Sequence, residues 1–591
     1  MQNVDRVPGK LIWVFLGTLS IAFHLGLIFS GLVSNLISRP MHMALALPWA
    51  LVFIATNRLQ KITGLALAVA GVLAALYIVI NQNELSDQYG YLEGNVQYFV
   101  AAVLLIAVLE MARRAISWPL PLIALMALLY GLFGEYIPGE FGHPGLPLGS
   151  FLGTLTIAEG GLWGKLTGVS VEIVAIFVIF GAVLNAGEAG DGFMNAATAV
   201  AGRLKAGAAK VSLLSSALFG SISGSASANV ASTGAITLPT MIKLDYPKRF
   251  AAAVEAVASS GGQIMPPLMG AGAFVMVELT GVPYTSIMAA AILPAILYFW
   301  TVWVGINAYA KRYDLKKISA DDQPSTKNLL ITTAFFAVPF FVLLERMFIN
   351  DYTPQFAASV AILSAFLLLF LDARLKISIS RLFQRLETVA LNAGKQIATI
   401  ASIILCASIV IGVLGQTGLG IKITSLILSG SGGNLWLALL LTAFACLILG
   451  MELPTTAAYI ISISVAGPAL EQLGVPLLMA HLFVFWFALL STITPPVCGA
   501  VFIAAGMVQE NWLKVAVTAM ALGVGLYLVP LSMIANPELI SLATTPLPSM
   551  VAFVKVALGL AMISYGVIAP LKLYFRGGLL LLGLMVLFVS V

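Results

Sequence analysis

The sequence predicts an all-α, polytopic membrane protein of about 15 transmembrane helices plus two re-entrant hairpins arranged as an inverted repeat. Three observations predict it. First, 60% of the 591 residues are apolar and only 9% are charged, against roughly 45–50% and 25% in an average soluble chain. So few charges could not cover the surface of a water-soluble fold of this size. Second, a bilayer core about 30 Å thick needs about 20 apolar residues per helix, and stretches of that length recur along the whole chain. Third, one unusual segment, rich in Ser, Gly and Ala and followed by Pro-Pro, occurs twice.

The net charge of +5 draws its meaning from where Lys and Arg sit relative to a membrane, not from nucleic acid, which is not an expected partner. Cys406, Cys446 and Cys498 lie in apolar stretches with no CxxC and no Cys/His cluster, which argues against a disulfide framework or a structural zinc. The apolar run from Leu11 continues to about Val33 with no small-residue cleavage site, so a retained first span is expected instead of a signal peptide.

Spans read at 11–33, 41–57, 63–80, 95–112, 119–134 and 169–187, then at 250–275, 284–308, 328–347, 355–372 and 388–415. The final spans read at 476–508, 513–535, 549–569 and a short 577–591. Arg6 and Lys10, Arg58 and Lys61, and Arg113 and Arg114 fall on one side; acidic loops with Glu84, Asp87 and Glu93, and with Glu135 and Glu140, fall on the other. The positive-inside rule therefore puts the N-terminus in the cytoplasm, with Arg39 as the misfit. Stretch 211–242 is flanked by Arg203, Lys205 and Lys210 on one end and by Lys243, Lys248 and Arg249 on the other, so it should enter and leave from the cytoplasm. Lys311, Arg312, Lys316 and Lys317 mark 311–327 as a cytoplasmic linker; Arg374, Lys376, Arg381 and Arg385, and later Lys572 and Arg576, keep the count. The second interrupted stretch, 434–468, has almost no Lys or Arg at its flanks and should enter from outside. Six units follow: a scaffold over 1–115, connecting helices over 116–190, a first repeat over 191–310, linker and scaffold helices over 311–415, a second repeat over 416–536, and C-terminal helices over 537–591.

Gln263-Ile-Met-Pro-Pro-Leu-Met-Gly-Ala271 aligns with Thr492-Ile-Thr-Pro-Pro-Val-Cys-Gly-Ala500 at an offset of 229, which also pairs Pro247 with Pro476 and lays Ser225–Asn229 over Pro454–Ala458. Each unit reads as a hairpin, a short linker with Pro, and a span broken by Pro-Pro. Five crossings separate the hairpins, and an odd number turns the second unit upside down. Inverted repeats with discontinuous helices are the signature of secondary transporters.

Proline donates no N–H and clashes with the carbonyl one turn earlier. Two in a row free carbonyls that must line a cavity or hold a cation. Near the first break, Gly262 to Pro267, the hairpin offers Ser225, Ser227 and Asn229; near the second, Ser491, Thr492 and Thr494 meet Thr455 and Thr456. Neutral oxygens of this kind suit a hard cation such as Na+ and no transition metal. The half-helix N-termini beside them favour a carboxylate substrate. Two buried acids count as functional candidates. Glu255 precedes the first break and either bonds the adjoining hairpin or acts directly; Glu452, at the second hairpin turn, is a candidate to titrate during transport. Glu172, Glu188 and Asp191 read as interfacial.

At these residues the sequence resembles the fused (QM) membrane subunit of tripartite ATP-independent periplasmic (TRAP) transporters of the TAXI type. The motifs that carry the resemblance are Ser223-Gly-Ser-Ala-Ser-Ala-Asn-Val-Ala-Ser-Thr-Gly234, Ala256-Val-Ala-Ser-Ser-Gly-Gly-Gln-Ile-Met-Pro-Pro-Leu-Met-Gly-Ala271 and Leu453-Pro-Thr-Thr-Ala-Ala-Tyr459. Spans up to about residue 112 resemble the small (Q) subunit and the remainder resembles the large (M) one. The resemblance implies an elevator-type member of the ion-transporter superfamily in a bacterial inner membrane, active as a monomer of the fused subunit. It also implies a periplasmic substrate-binding protein of TAXI type, a small organic acid as cargo, and co-transported Na+ or H+ with no other cofactor. By position, Ser225, Asn229, Gly262, Met265 and Pro267 would form a first cation site, the last three through backbone carbonyls. Thr455, Thr456, Ser491, Thr494 and Pro496 would form the second, with Ser227, Gln263 and Thr492 in the substrate region. The family pattern has a small residue where Glu452 stands, and this departure motivates proton coupling there.

Two rivals stay open. One is a standalone cation-coupled anion carrier that needs no binding protein. The other is an intramembrane enzyme, but only His24, His42, His143 and His481 are present, without HExxH or GxSxG, and no two of these histidines share a span. The cargo is left as a dicarboxylate, a 2-oxo acid or a glutamate-like amino acid, since no Arg lies in either repeat core.

Overall fold

A chain this apolar has no water at membrane depth to satisfy its backbone, so its N–H and C=O groups must bond within helices. The computed structural model describes residues 9–319, 323–450 and 453–589, and every regular element among them is helical. Among the described residues ten helices are long and apolar enough to cross a bilayer, and seven shorter apolar helices accompany them. The shorter ones include Gly270–Thr280, Leu477–Ile493 and Gly499–Val508, which belong to the two broken helices, and the last helix, Leu573–Phe588.

Most expected spans are present, with shifts that have local causes. The second begins at Asn35, not 41, because Pro40 is accommodated inside the helix beyond its first turn. The expected span 513–535 is two helices, Trp512–Leu522 and Val524–Ala535, bent by 65° at Gly523. The span expected over 388–415 is the 39-residue helix Ile379–Thr417, about 58 Å long at 1.5 Å per residue and so longer than the bilayer core. Sequence reading passed over Leu148–Thr156 and two helices that matter to the repeat, Ala189–Ala201 and Leu419–Ser431. Their moderate hydropathy and small residues give them no span-like signature.

These two missed helices complete the internal repeat. Ala189–Ala201 recurs as Leu419–Ser431, and hairpin arms Gly207–Ser223 and Ala226–Lys243 recur as Leu435–Gly450 and Thr455–Gln472. The broken helix Lys248–Gly261 plus Gly270–Thr280 recurs as Leu477–Leu490 plus Gly499–Val508.

The long helix Ile379–Thr417 is the spine against which the N-terminal helices pack, and small residues make the approach close. A Cβ added at Gly17 of the first helix, Lys10–Phe29, would lie 2.2 Å from the Ala390 carbonyl oxygen, and one at Gly394 would lie 2.5 Å from the Trp49 ring. The Lys10 ammonium meets Glu387 at 2.5 Å. Arg39, the topological misfit, is buried and matched: it donates to Glu159 at 3.4 Å and to the Trp163 carbonyl, and Asn35 donates to the same carboxylate at 2.9 Å. Its charge is thus neutralised locally and does not count against the orientation. In the basic turn before the spine, the Lys376 and Arg374 amides and the Arg381 guanidinium hold the Asp372 carboxyl below the ordinary aspartate range.

Gly17→Leu should force the first helix off the spine and cost about 1–3 kcal/mol, read as a lower Tm in detergent. Gly26→Leu on the same helix, where nothing lies within 4 Å, should leave the Tm unchanged.

Candidate functional site

Both diprolines interrupt their helices. Lys248–Gly261 tightens into one 3₁₀ turn over Gly262–Ile264, goes extended at Met265, and resumes as a helix at Gly270 after the cis Pro266–Pro267 bond. The second unit repeats this: Leu477–Leu490, one turn over Ser491–Ile493, extended Thr494, cis Pro495–Pro496, and a new helix at Gly499. Backbone carbonyls at both breaks are therefore released from helical bonding, as the chemistry of proline requires.

Each hairpin folds directly onto its own break. In the first unit three elements meet at two glycines: a Cβ at Gly220 would lie 2.5 Å from the Gly262 Cα and 2.5 Å from the Asn229 side-chain nitrogen. Gly224, with φ of 61°, turns the hairpin, and Ser225 caps its second arm by accepting from the Ala228 amide at 3.3 Å. In the second unit Ser491 stands where Gly262 does, and its hydroxyl lies between the Ala488 carbonyl of its own helix at 2.6 Å and the Gly450 carbonyl of the hairpin at 2.9 Å, tying break to hairpin by a side chain. Across the two units, the Ser260 and Thr492 hydroxyls are 2.8 Å apart. The Ser227 hydroxyl lies 3.6 Å from where a Cβ on Gly499 would stand.

The first-site candidates are brought together unevenly. Asn229 is fully buried and donates to the Ser216 and Ser259 carbonyls at 2.8 and 3.2 Å. The Gly262 carbonyl accepts from the Met265 amide at 3.3 Å. The Pro267 carbonyl accepts, together with that of Leu268, from the buried Tyr284 hydroxyl, each at 2.8 Å. A carbonyl has two lone pairs, so Pro267 keeps one. Ser225 and Ser227 are exposed at the hairpin turn, and Gln263 is buried with its side-chain nitrogen unpartnered.

In the second unit, Thr455 and Thr456 form the first turn of the returning arm, and Pro496 is exposed. Thr494 bonds the Leu490 carbonyl and the Tyr527 hydroxyl, both at 2.7 Å. Thr492 donates to the Leu489 carbonyl at 2.7 Å. Glu452 lies outside the described residues.

Glu255 is fully buried, and of its two expected roles the bonding to the hairpin is realised. Its carboxylate accepts from Ser212 at 2.8 Å, Ser259 at 3.2 Å and Ser216 at 3.3 Å, and from Thr233 and Thr237 more closely. Sequence reading missed these hydroxyls and the tyrosines Tyr284 and Tyr527. The hydroxyls did leave a signal: Ser212/Ser216 and Thr233/Thr237 are spaced by four, which puts each pair on one helix face. Glu188, read as interfacial, is ion-paired with Arg385 at 2.5 Å.

The histidines yield a second surprise. His24 and His42, on different spans, bond each other at 2.7 Å; His24 also bonds the Ser20 carbonyl at 2.6 Å, and His42 the Ser170 hydroxyl at 3.0 Å. All four ring nitrogens are occupied by these bonds, so the pair has no open ligand position.

A polytopic helical protein whose two hairpins close on two broken helices is built as a membrane transporter. The family model described as "Tripartite ATP-independent periplasmic transporter, DctM component" matches residues 103–547, and the chain belongs to that family. It is similar to the C4-dicarboxylate TRAP transporter large permease protein DctM of Pseudomonas aeruginosa, 27% identical over 59% of this chain and 78% of that protein. It is also similar to a putative TRAP transporter large permease protein of Haemophilus influenzae, 26% identical over 57% of this chain and 78% of the relative. The 2,3-diketo-L-gulonate TRAP transporter large permease protein YiaN of Escherichia coli is 22% identical over 58% of this chain and 78% of its own length. These relatives are permeases, and the chain is a multi-pass transporter component, not an enzyme.

The two breaks should respond differently to one substitution. A Cβ at Gly262 would lie 2.4 Å from the Gly220 backbone, so Gly262→Ala should cost about 1–3 kcal/mol and lower the Tm. Ser491→Ala, the equivalent change in the second unit, keeps its Cβ and should lose only the hydroxyl proton shared between the Gly450 and Ala488 carbonyls, about 0.5–1.5 kcal/mol by the same measurement.

Proposed function

We propose that the chain takes up a small organic acid, delivered by a periplasmic substrate-binding protein, by an elevator mechanism driven by a cation gradient. The observation that carries this reading is the Ser260–Thr492 contact: the two discontinuous helices meet side chain to side chain, each sealed by its own hairpin. In this reading the short helix Leu419–Ser431, like its counterpart Ala189–Ala201, does not cross; five crossings then separate the hairpins, counting Lys248–Thr280 as one, and the second unit is inverted so that the two hairpins open to opposite compartments.

In this reading the first cation site uses Ser225, Asn229, Gly262, Met265 and the free lone pair of Pro267. The second uses Thr455, Thr456, Ser491, Thr494 and Pro496. The cargo carboxylate sits between the half-helix N-termini at Gly270 and Gly499, within reach of Ser227, Gln263 and Thr492. The unpartnered amide nitrogen of buried Gln263 supports an acceptor-bearing cargo there. Units 191–310 and 416–536 move together, while 1–115, 116–190, 311–415 and 537–591 form the fixed scaffold. The protein lies in a bacterial inner membrane with its N-terminus in the cytoplasm, as a fused TAXI-type subunit and a monomer. The named relatives' cargoes, a C4-dicarboxylate and a diketogulonate, support the organic-acid class.

A proton at the second site is the alternative coupling. Pro454 and Ala458 stand there in place of Ser225 and Asn229, so the second unit lacks the amide ligand of the first. Glu452→Gln should then abolish uptake driven by pH alone, and unchanged pH dependence would exclude it.

In proteoliposomes, uptake should require both the binding protein and an inward Na+ gradient. Asn229→Ala should raise the half-saturating Na+ concentration by about tenfold or more. Uptake without any soluble partner would favour the standalone carrier, and uptake indifferent to Na+ would contradict the first cation site.

A further inference from the structure

We infer that Glu255 is a positioning residue for the first cation site: its carboxylate gathers the hydroxyl protons around Asn229 and so keeps the Asn229 amide oxygen free as a cation ligand. The inference rests on the proposed cation-coupled reading and adds a residue to it that supplies no ligand atom itself.

The argument is a count of protons. Asn229 has two N–H donors, and both are used, on the Ser216 carbonyl at 2.8 Å and the Ser259 carbonyl at 3.2 Å. Turning the amide over would set its oxygen against two carbonyl oxygens, so its orientation is fixed by these bonds. The oxygen then has one protein neighbour among its bonds, the Thr233 hydroxyl at 3.4 Å. Thr233 has a single proton to give. It could go to the Asn229 carbonyl at 2.8 Å or to the Asn229 side chain, but the Glu255 carboxylate is its closest acceptor.

The same carboxylate oxygen that holds Thr233 accepts from Ser216 at 3.3 Å and Ser259 at 3.2 Å. These are the two residues whose carbonyls hold the Asn229 nitrogen. One carboxylate oxygen therefore fixes all three residues that frame the amide, on both hairpin arms and on the broken helix. Among the described residues Glu255 forms no ion pair, so this hydroxyl shell is what satisfies it. The second unit has Val484 in the place of Glu255, Ala458 in that of Asn229 and Ala488 in that of Ser259. The carboxylate and the amide are present together and absent together, as expected when one serves the other.

The test measures Na+ dependence of uptake by the full chain with its binding protein in proteoliposomes, with Li+ as the comparison ion. Glu255→Gln should raise the half-saturating Na+ concentration by about tenfold or more and narrow the preference for Na+ over Li+. The substrate KM at saturating Na+ should stay near wild type. Glu255→Gln combined with Thr233→Val removes the proton that the carboxylate no longer holds, and should recover much of the Na+ affinity. Glu255→Gln with unchanged Na+ half-saturation, or a double variant no better than the single, would overturn the role of Glu255 and leave the cation site standing. Should Glu255→Gln fail to fold, Thr233→Val alone decides: Na+ affinity kept or tightened supports the inference, and a tenfold loss overturns it. Wild-type uptake indifferent to Na+ would overturn the cation reading and this inference with it.

Discussion

A backbone carbonyl released inside a bilayer has to find a partner, and the rest of the structure follows from where two Pro-Pro pairs release theirs. The breaks after Ile264 and Ile493 cannot face lipid, so each is covered by a hairpin from its own unit. The hairpin can cover it only if it comes close. In the first unit closeness is achieved with Gly220 against Gly262, in the second with Gly450 against Ser491. The same problem is solved once by removing a side chain and once by making it a hydrogen-bond donor.

The two units therefore share a backbone plan and differ in chemistry. The first has a polar cluster at its interface: five hydroxyls converge on the Glu255 carboxylate, and Asn229 bonds the Ser216 and Ser259 carbonyls beside them. The second relies on apolar packing around Leu477–Leu490, which is buried almost along its whole length, and keeps its hydroxyls at the break itself. In the proposed mechanism such a difference would let the two equivalent positions hold different ions or the same ion with different affinity. Around both units, the spine Ile379–Thr417 and the helices packed on it are joined by small residues, by the Lys10–Glu387 pair and by the His24–His42–Ser170 chain. These are contacts that fix geometry and leave no open coordination position.

Much of this was legible in the amino-acid order because membrane burial imposes simple rules. Length and apolarity placed nearly every span, and the offset of 229 exposed the repeat. Helices Ala189–Ala201 and Leu419–Ser431 were passed over since they are neither long nor continuously apolar. The 65° bend at Gly523 has no proline to announce it. At the site, rare polar groups in an apolar chain singled out Asn229 and Ser491, and the Pro-Pro break singled out Gly262. What order alone could not give was partnership: that Tyr284 takes up the Pro267 carbonyl, that His24 meets His42 from another span, and that Glu255 faces four hairpin hydroxyls. Those depend on helix rotation and tilt, which periodicity in an all-apolar helix does not encode.

Inversion of the second unit is the central claim, since the proposed mechanism needs its cation sites on opposite-facing hairpins to give alternating access to one cargo site. Side-specific labelling of single cysteines tests it most directly, at Asp245→Cys after the first hairpin and Gln472→Cys after the second, both exposed in the structure. In intact cells a membrane-impermeant thiol reagent entering the periplasm should label position 472 and spare position 245, with 245 labelled only once the cytoplasmic face is opened. Labelling of both from the same side would contradict the inverted arrangement and the transport mechanism built on it.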